Sequence, residues 1–228
     1  ACLELFLRVI CAVTLADYLS GPRNDETAEA EIRGLQGKRG GPSLGDWRRL
    51  SDALLKAVRN RSENERFCNL ILEWYFSGRG NRLSAPARLI SEKLIAKRNK
   101  AQHGALEMRF SNTEIEEMLS GLREVLSSAN WLTEYQFFNV VSKSRHPGYF
   151  QGTLVWYVGL IHRQNAKSTW STDRLESSQS LMVASNDGQR LLDLGHLLQV
   201  DTTKGDVRFD IFYHLDGNKK LILRDEKD

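Results

Sequence analysis

The sequence predicts an α+β fold: an all-helical bundle over residues 1–130, followed by a small antiparallel β domain over residues 131–228. Three observations carry this prediction. Apolar residues recur at three- and four-residue steps up to about Asn130, short β-prone runs follow Trp131, and Asp216-Gly217-Asn218 lies between two of those runs as a hairpin signal. The chain has 228 residues, 41% hydrophobic and 27% charged, with only 4 prolines, a composition that excludes disorder, collagen-like repeats and mucin-like stalks. That length suffices for one large domain or two modest ones, and no fixed-period repeat divides it further.

Cys2 to Leu19 is apolar almost all round, yet Glu4, Arg8 and Asp17 interrupt it, so no uncharged stretch approaches the ~20 residues of a bilayer span. A buried helix is predicted, and no membrane association. A signal peptide would need a small-residue cleavage site after the apolar run, where the chain reads Asp17-Tyr18-Leu19-Ser20-Gly21. The first residue is Ala rather than Met, so the chain is expected to begin either inside a longer polypeptide or after a start that precedes Ala1. From Gly21 to Ser43, glycine, proline and charge dominate, which predicts a flexible connection between helices.

Helix resumes near Leu44, where Trp47, Leu50, Leu54, Leu55 and Val58 share a face, as do Phe67, Leu70, Ile71, Trp74 and Tyr75 in the next segment. Ser84 caps a further helix with Pro86 in its first turn, and Leu89, Ile90, Leu94 and Ile95 continue its stripe until Gly104. Asn112 is expected to cap the last helix at its N-terminus, with Glu114, Glu116 and Glu117 in the first turn, and Ile115, Leu119, Leu122 and Leu126 form its apolar face. Beyond Trp131 the β-prone runs are Phe137 to Val141, Thr153 to Ile161, Ser180 to Ala184, Val207 to Tyr213 and Leu221 to Leu223.

The three cysteines, Cys2, Cys11 and Cys68, form no closed disulfide set and lack zinc-site spacing, which places the chain in a reducing, cytoplasmic setting. No His pair has metal spacing, no glycine-rich phosphate loop follows a strand, and no Ser is flanked as in a nucleophile elbow. Neither a metal nor a cofactor is expected. His146, His162, His196 and His214 read as structural or surface imidazoles. The aromatics Phe137, Phe138, Tyr149, Phe150, Trp156 and Tyr157 read as core, with base stacking on a sheet as the alternative.

Charge is uneven. Residues up to Asn130 carry 20 Lys and Arg against 17 Asp and Glu, whereas the remainder carries 12 of each. Locally, Arg79, Arg82, Arg88, Lys93, Lys97, Arg98 and Lys100 face the single acid Glu92, a field of +6 that suits a phosphate backbone or, alternatively, is a solvated helix face.

Within this field lies Arg98-Asn99-Lys100-Ala101-Gln102-His103. On a helix Asn99 and His103 share a face, while Arg98 and His103 stand about 140° apart and can line opposite sides of a groove. Asn99 can orient the imidazole or a phosphate. Gly104 reads as the helix cap, so His103 sits where carbonyl dipoles favour the imidazolium, and Arg98 offers a permanently charged fork to a phosphate oxygen.

In these residues, over roughly positions 1 to 130, the chain resembles the HEPN superfamily, whose ribonucleases carry an Arg-polar-x3-His motif on the third helix of a four- to five-helix bundle. Arg98, Asn99 and His103 match that motif position by position, and the apolar first helix and the Leu44-Gly45-Asp46-Trp47 start of the next core helix are similar to family members. The resemblance implies metal-independent RNA cleavage by 2′-OH attack, with two motifs paired in a homodimer and a setting in bacterial antiviral or toxin-type defence. It makes His103 the general acid or base and Arg98 the stabiliser of phosphorane charge, with Asn99 positioning one or both. Lys97, Lys100 and Arg109 are expected to hold the RNA backbone. The Tyr found two places after the His in toxins regulated by nucleotidyltransferases is replaced by Ala105, so regulation of that kind is not expected. The competing expectation is a non-catalytic module for dimerisation and ligand sensing within a larger protein.

Overall fold

In the computed structural model, residues 2–36, 42–78, 80–103, 111–147, 149–158, 162–170, 181–185, 190–194, 198–201, 208–211, 214–215 and 221–222 are described. Of these, residues 100–103, 141, 143, 150, 152, 155–158, 162–170 and 198–222 are described for their backbone. The order is helices first and strands after, an α+β architecture, with all the strand pairs antiparallel.

Helix α1 (Cys2–Leu19) is the centre of the helical layer because almost every one of its faces is apolar; Leu7, Ile10, Val13 and Tyr18 are all buried. Along it lies α3 (Leu44–Arg59), which buries Trp47, Leu50, Leu54, Leu55 and Val58 as its periodicity predicts. A capping box fixes the start of α3: Ser43 Oγ accepts from the Asp46 amide at 3.3 Å, and Asp46 Oδ2 accepts from the Ser43 amide at 2.7 Å.

The segment predicted to be a flexible connection instead contains α2 (Glu26–Gln36). Asp25 starts it, accepting from the Ala28 amide at 2.9 Å, and Ala28, Ile32 and Leu35 are buried at successive turns. The reading failed because the polar majority hid a narrow apolar stripe that packing against α3 completes. Gly37, Gly40 and Gly41, which suggested the loop, lie outside the described residues.

The next helices are α4 (Asn69–Tyr75) and a single element formed by α5 (Ala85–Arg88), a π-helical stretch (Leu89–Leu94) and α6 (Ile95–His103). The π stretch answers a problem in the sequence. In an α-helix, Leu89 and Leu94 would point about 140° apart, and so would Ile90 and Ile95. The i→i+5 bonding, seen where the Ile95 amide donates to the Ile90 carbonyl, stacks residues five apart on one side instead. Ile90, Leu94 and Ile95 are accordingly all buried. Helix α7 (Asn112–Ser128) crosses this stretch closely at Gly121, where an added Cβ would lie 3.2 Å from Leu94 Cδ2. Its outer apolar residues Ile115 and Leu119 stay exposed, at 43% and 47%.

Helix α8 (Trp131–Glu134) makes the transition to the strands. Trp131 packs against Phe6 and Trp74, while Tyr135 stacks on Phe67 at 5.1 Å and donates its hydroxyl to the Phe67 carbonyl. The main sheet has the order β3-β2-β1-β4-β5, from β1 (Gln136–His146), β2 (Tyr149–Val158), β3 (His162–Trp170), β4 (Leu181–Ala184) and β5 (Leu191–Asp193). Two further pairs are β6 (Leu198–Asp201) with β7 (Arg208–Ile211), and β8 (His214–Leu215) with β9 (Leu221–Ile222). Of the two runs predicted to flank the hairpin, Leu221 to Leu223 contributes β9, which pairs with the two-residue β8, whereas Val207 to Tyr213 contributes β7 and pairs instead with β6. The turn Asp216-Gly217-Asn218 lies outside the described residues.

Alternation gives the main sheet two apolar faces. Phe137, Leu181, Val183 and Leu192 join the hydrophobic layer of the helices, with Leu194 beside them. Phe138, Val140, Leu154, Met182 and Ala184 form a second cluster on the other face. One continuous core therefore runs across the change from helix to strand near Trp131.

Candidate functional site

The element that carries the motif starts at a defined point, with Ser84 Oγ accepting from the Ala87 amide and Pro86 in the first turn. From there the chain stays helical to His103. Lys97, Arg98 and Asn99 are half-buried on its last turns, and Arg98 Nη1 donates to Asn99 Oδ1 at 3.4 Å. The contact is long, so the guanidinium keeps its remaining donors for another acceptor. His103 is the last residue of α6, one turn beyond Asn99 along the backbone. The side chains of Lys100 and His103 lie outside the described residues, as do Gly104, Ala105 and Arg109 entirely.

Lys97, expected to hold RNA, has its ammonium in an ion pair with Glu117 of α7. Part of the basic field is thus spent on tying α6 to α7. The exposed cations among the described residues of that stretch are Arg82 and Arg88, which precede the π stretch, and Lys93 within it. Spacing within one helix revealed the motif, but Glu117 stands 20 positions away from Lys97, and no local pattern points to it.

Other polar groups are engaged structurally. Asp17, 1% exposed at the end of α1, accepts the Phe67 and Cys68 amides on Oδ2 at 2.9 and 2.8 Å, and its Oδ1 faces Arg61 Nη1 at 3.8 Å. Burial raises the carboxyl above its ordinary range, with those amides and Arg61 pulling the other way. Arg61 also donates to the carbonyls of Asp17 and Tyr18, and Arg190, beside β5, donates to that of Arg66. A cleft of about 510 Å³ opens here, lined by Asp17, Arg61, Glu65, Phe67, Arg190 and Leu192. Sequence reasoning took Asp17 only as an interruption of an apolar run and so missed its role as a clamp.

Burial pushes the Cys11 thiol up to about 12 and raises that of Cys68 as well, so both stay protonated and unreactive near neutral pH. Among the described residues, no three His, Cys, Asp or Glu side chains cluster as cation ligands. None of the described helices is long and apolar enough to cross a membrane. Phe137 and Phe138 belong to the two cores, and Tyr149 is exposed. The side chains of Phe150, Trp156 and Tyr157 lie outside the described residues. His162 opens β3, His214 lies in β8, and His196 is outside the described residues. Comparison of the chain with protein-family models, curated proteins and solved structures gives no match.

Proposed function

We propose that the chain is a metal-independent endoribonuclease of the HEPN type, acting in the cytoplasm as an effector of bacterial antiviral or toxin-type defence. The observation that carries the reading is the terminal stretch of α6, where Arg98 and Asn99 touch and His103 follows one turn later. A ribose 2′-oxygen attacks the neighbouring phosphorus, the bond from phosphorus to the 5′-oxygen breaks, and a 2′,3′-cyclic phosphate remains. His103 takes the proton from the 2′-hydroxyl or delivers one to the departing 5′-oxygen. Arg98 neutralises charge on the phosphorane, and Asn99 sets the direction of the guanidinium.

One helix provides a single imidazole, whereas the reaction uses both a base and an acid. Two copies facing each other supply the pair, and the exposed Ile115 and Leu119 of α7 offer apolar surface for such pairing. Arg82, Arg88 and Lys93 extend the path of the RNA backbone, joined by Lys100, Arg109 and the part of Lys97 left free by Glu117.

The test is cleavage of RNA in EDTA by the wild type and by His103→Ala. The expected result is a loss of roughly 10²–10⁴-fold in the variant, the span of a positioned acid or base. Equal rates, or no cleavage by either, would leave the helical layer as a pairing and docking module instead.

A further inference from the structure

The first three strands carry a feature that the α6 site does not use. From Gln136 to Trp170 there is no Asp or Glu, while Lys143, Arg145, Arg163 and Lys167 are present with His146 and His162. The rest of the chain mixes both signs, so this stretch is a one-sign patch on contiguous, paired strands.

Its outer end projects as an arm. The register of β1 on β2 shifts between Val140 and Ser142, a bulge that re-aims the strands beyond it. Before the bulge, Phe138, Val140 and Leu154 are buried. After it, Ser142, Ser144, Arg145, Pro147, Tyr149 and Gln151 are all exposed. Five residue pairs from Ser142↔Thr153 to His146↔Tyr149 span roughly 14 Å at the usual rise per residue.

At the tip, the Tyr149 and His146 rings stack with centroids 4.9 Å apart and planes 11° from parallel, and Tyr149 remains 43% exposed. The stack is held from below. Ser144 Oγ donates to the Gln151 carbonyl at 3.2 Å and lies 3.2 Å from His146 Nε2, a hydrogen-bond contact that ties the imidazole to the strand pair. An aromatic ring fixed on one face and open on the other presents a stacking surface whose ordering is already complete before anything binds. Arg145 pairs in register with Phe150, and Phe150 with Trp170, which places Arg145 on the face of the arm opposite Tyr149 and His146.

We propose that the β1–β2 arm binds single-stranded nucleic acid: a base stacks on the open face of Tyr149, and the strand passes over the edge of the arm so that Arg145, on the opposite face, neutralises a phosphate there. The combination of a pre-set aromatic face with cations and no acids matches the bases and phosphates of a nucleic-acid strand. It favours single strands over duplex because only an unstacked base exposes its face to a ring. Recognition by π-face and phosphate tolerates sequence. The proposal stands on these residues alone and adds a nucleic-acid contact on an element other than α6.

The test uses the full chain and fluorescence anisotropy with oligo(dT) and oligo(U) of about 20 nucleotides at low salt, the DNA being uncleavable by 2′-OH attack. Tyr149→Ala is expected to weaken binding of both oligomers about 5- to 100-fold, the span of one base stack, whereas Tyr149→Phe stays within about twofold. Arg145→Ala should reduce the slope of log affinity against log salt by about 1. Circular dichroism confirms that the variants fold, and Tyr149 is exposed enough for truncation to be tolerated. Wild-type affinity in Tyr149→Ala, or no binding of either oligomer by the wild type, would overturn the proposal. Binding that depends on Tyr149 without any cleavage would uphold the arm and remove the nuclease instead.

Discussion

Arg98→Ala is expected to cleave RNA about 10²–10³-fold more slowly than the wild type, the range seen when a single donor to developing anionic charge is removed. The reason lies in geometry as much as charge. Among the described residues Arg98 gives one long hydrogen bond, to Asn99, which leaves most of its five donors for a phosphate. Its charge persists at any working pH. Arg98→Lys tests the fork separately. It keeps the positive charge but presents a point rather than a plane, so it should recover little of the lost rate. Rate constants under single-turnover conditions and binding of uncleavable oligo(dT) separate the two contributions. The argument fails if Arg98→Ala loses affinity and rate in equal proportion, which would make Arg98 one more backbone contact.

Asp17→Ala is expected to lower stability by about 2–5 kcal/mol, because the buried Phe67 and Cys68 amides each lose their acceptor. For a chain of this length that corresponds to a fall in Tm of roughly 5–20 °C by calorimetry. Asp17→Asn retains an acceptor oxygen and should cost far less. The two can also be told apart by pH. Burial raises the Asp17 carboxyl above 3.8, so the native state holds its proton more tightly than the unfolded chain does. This contribution is complete at pH values below the unfolded pKa and is lost as pH rises through the folded one. Asp17→Asn does not titrate and therefore gains on the wild type as pH climbs above about 4. A constant difference between the two from acid to neutral pH would refute the role of desolvation.

Both local periods and turn chemistry were readable wherever an element satisfies its own pattern. The stripe of α3 and the cap at Ser84 stand in the sequence as they stand in the fold, whereas α7 is capped by Ser111, one residue before the expected Asn112, in a capping box with Glu114. Elements completed by distant neighbours were not. Helix α2 shows only Ala28, Ile32 and Leu35 to the core, too narrow a stripe to outweigh its charges. Strand β3, His-Arg-Gln-Asn-Ala-Lys-Ser-Thr-Trp, has almost no apolar content and owes its extended form to pairing along β2.

At the candidate site, Arg98, Asn99 and His103 could be named because their spacing lies within one helix. The Lys97–Glu117 pair and the Asp17 clamp could not, since each joins residues from separate elements. The π stretch is an intermediate case. Two apolar pairs five positions apart, Leu89 with Leu94 and Ile90 with Ile95, are visible in the sequence, and only a widened turn reconciles them with one buried face.

Leu181, Val183, Leu192 and Leu194 complete the same hydrophobic layer as Phe6, Leu7 and Ile10. A fragment ending at Asn130 would leave that layer without its roof and should aggregate on expression. Heating the whole polypeptide should, by the same logic, give one calorimetric endotherm, with helical and β signals vanishing together.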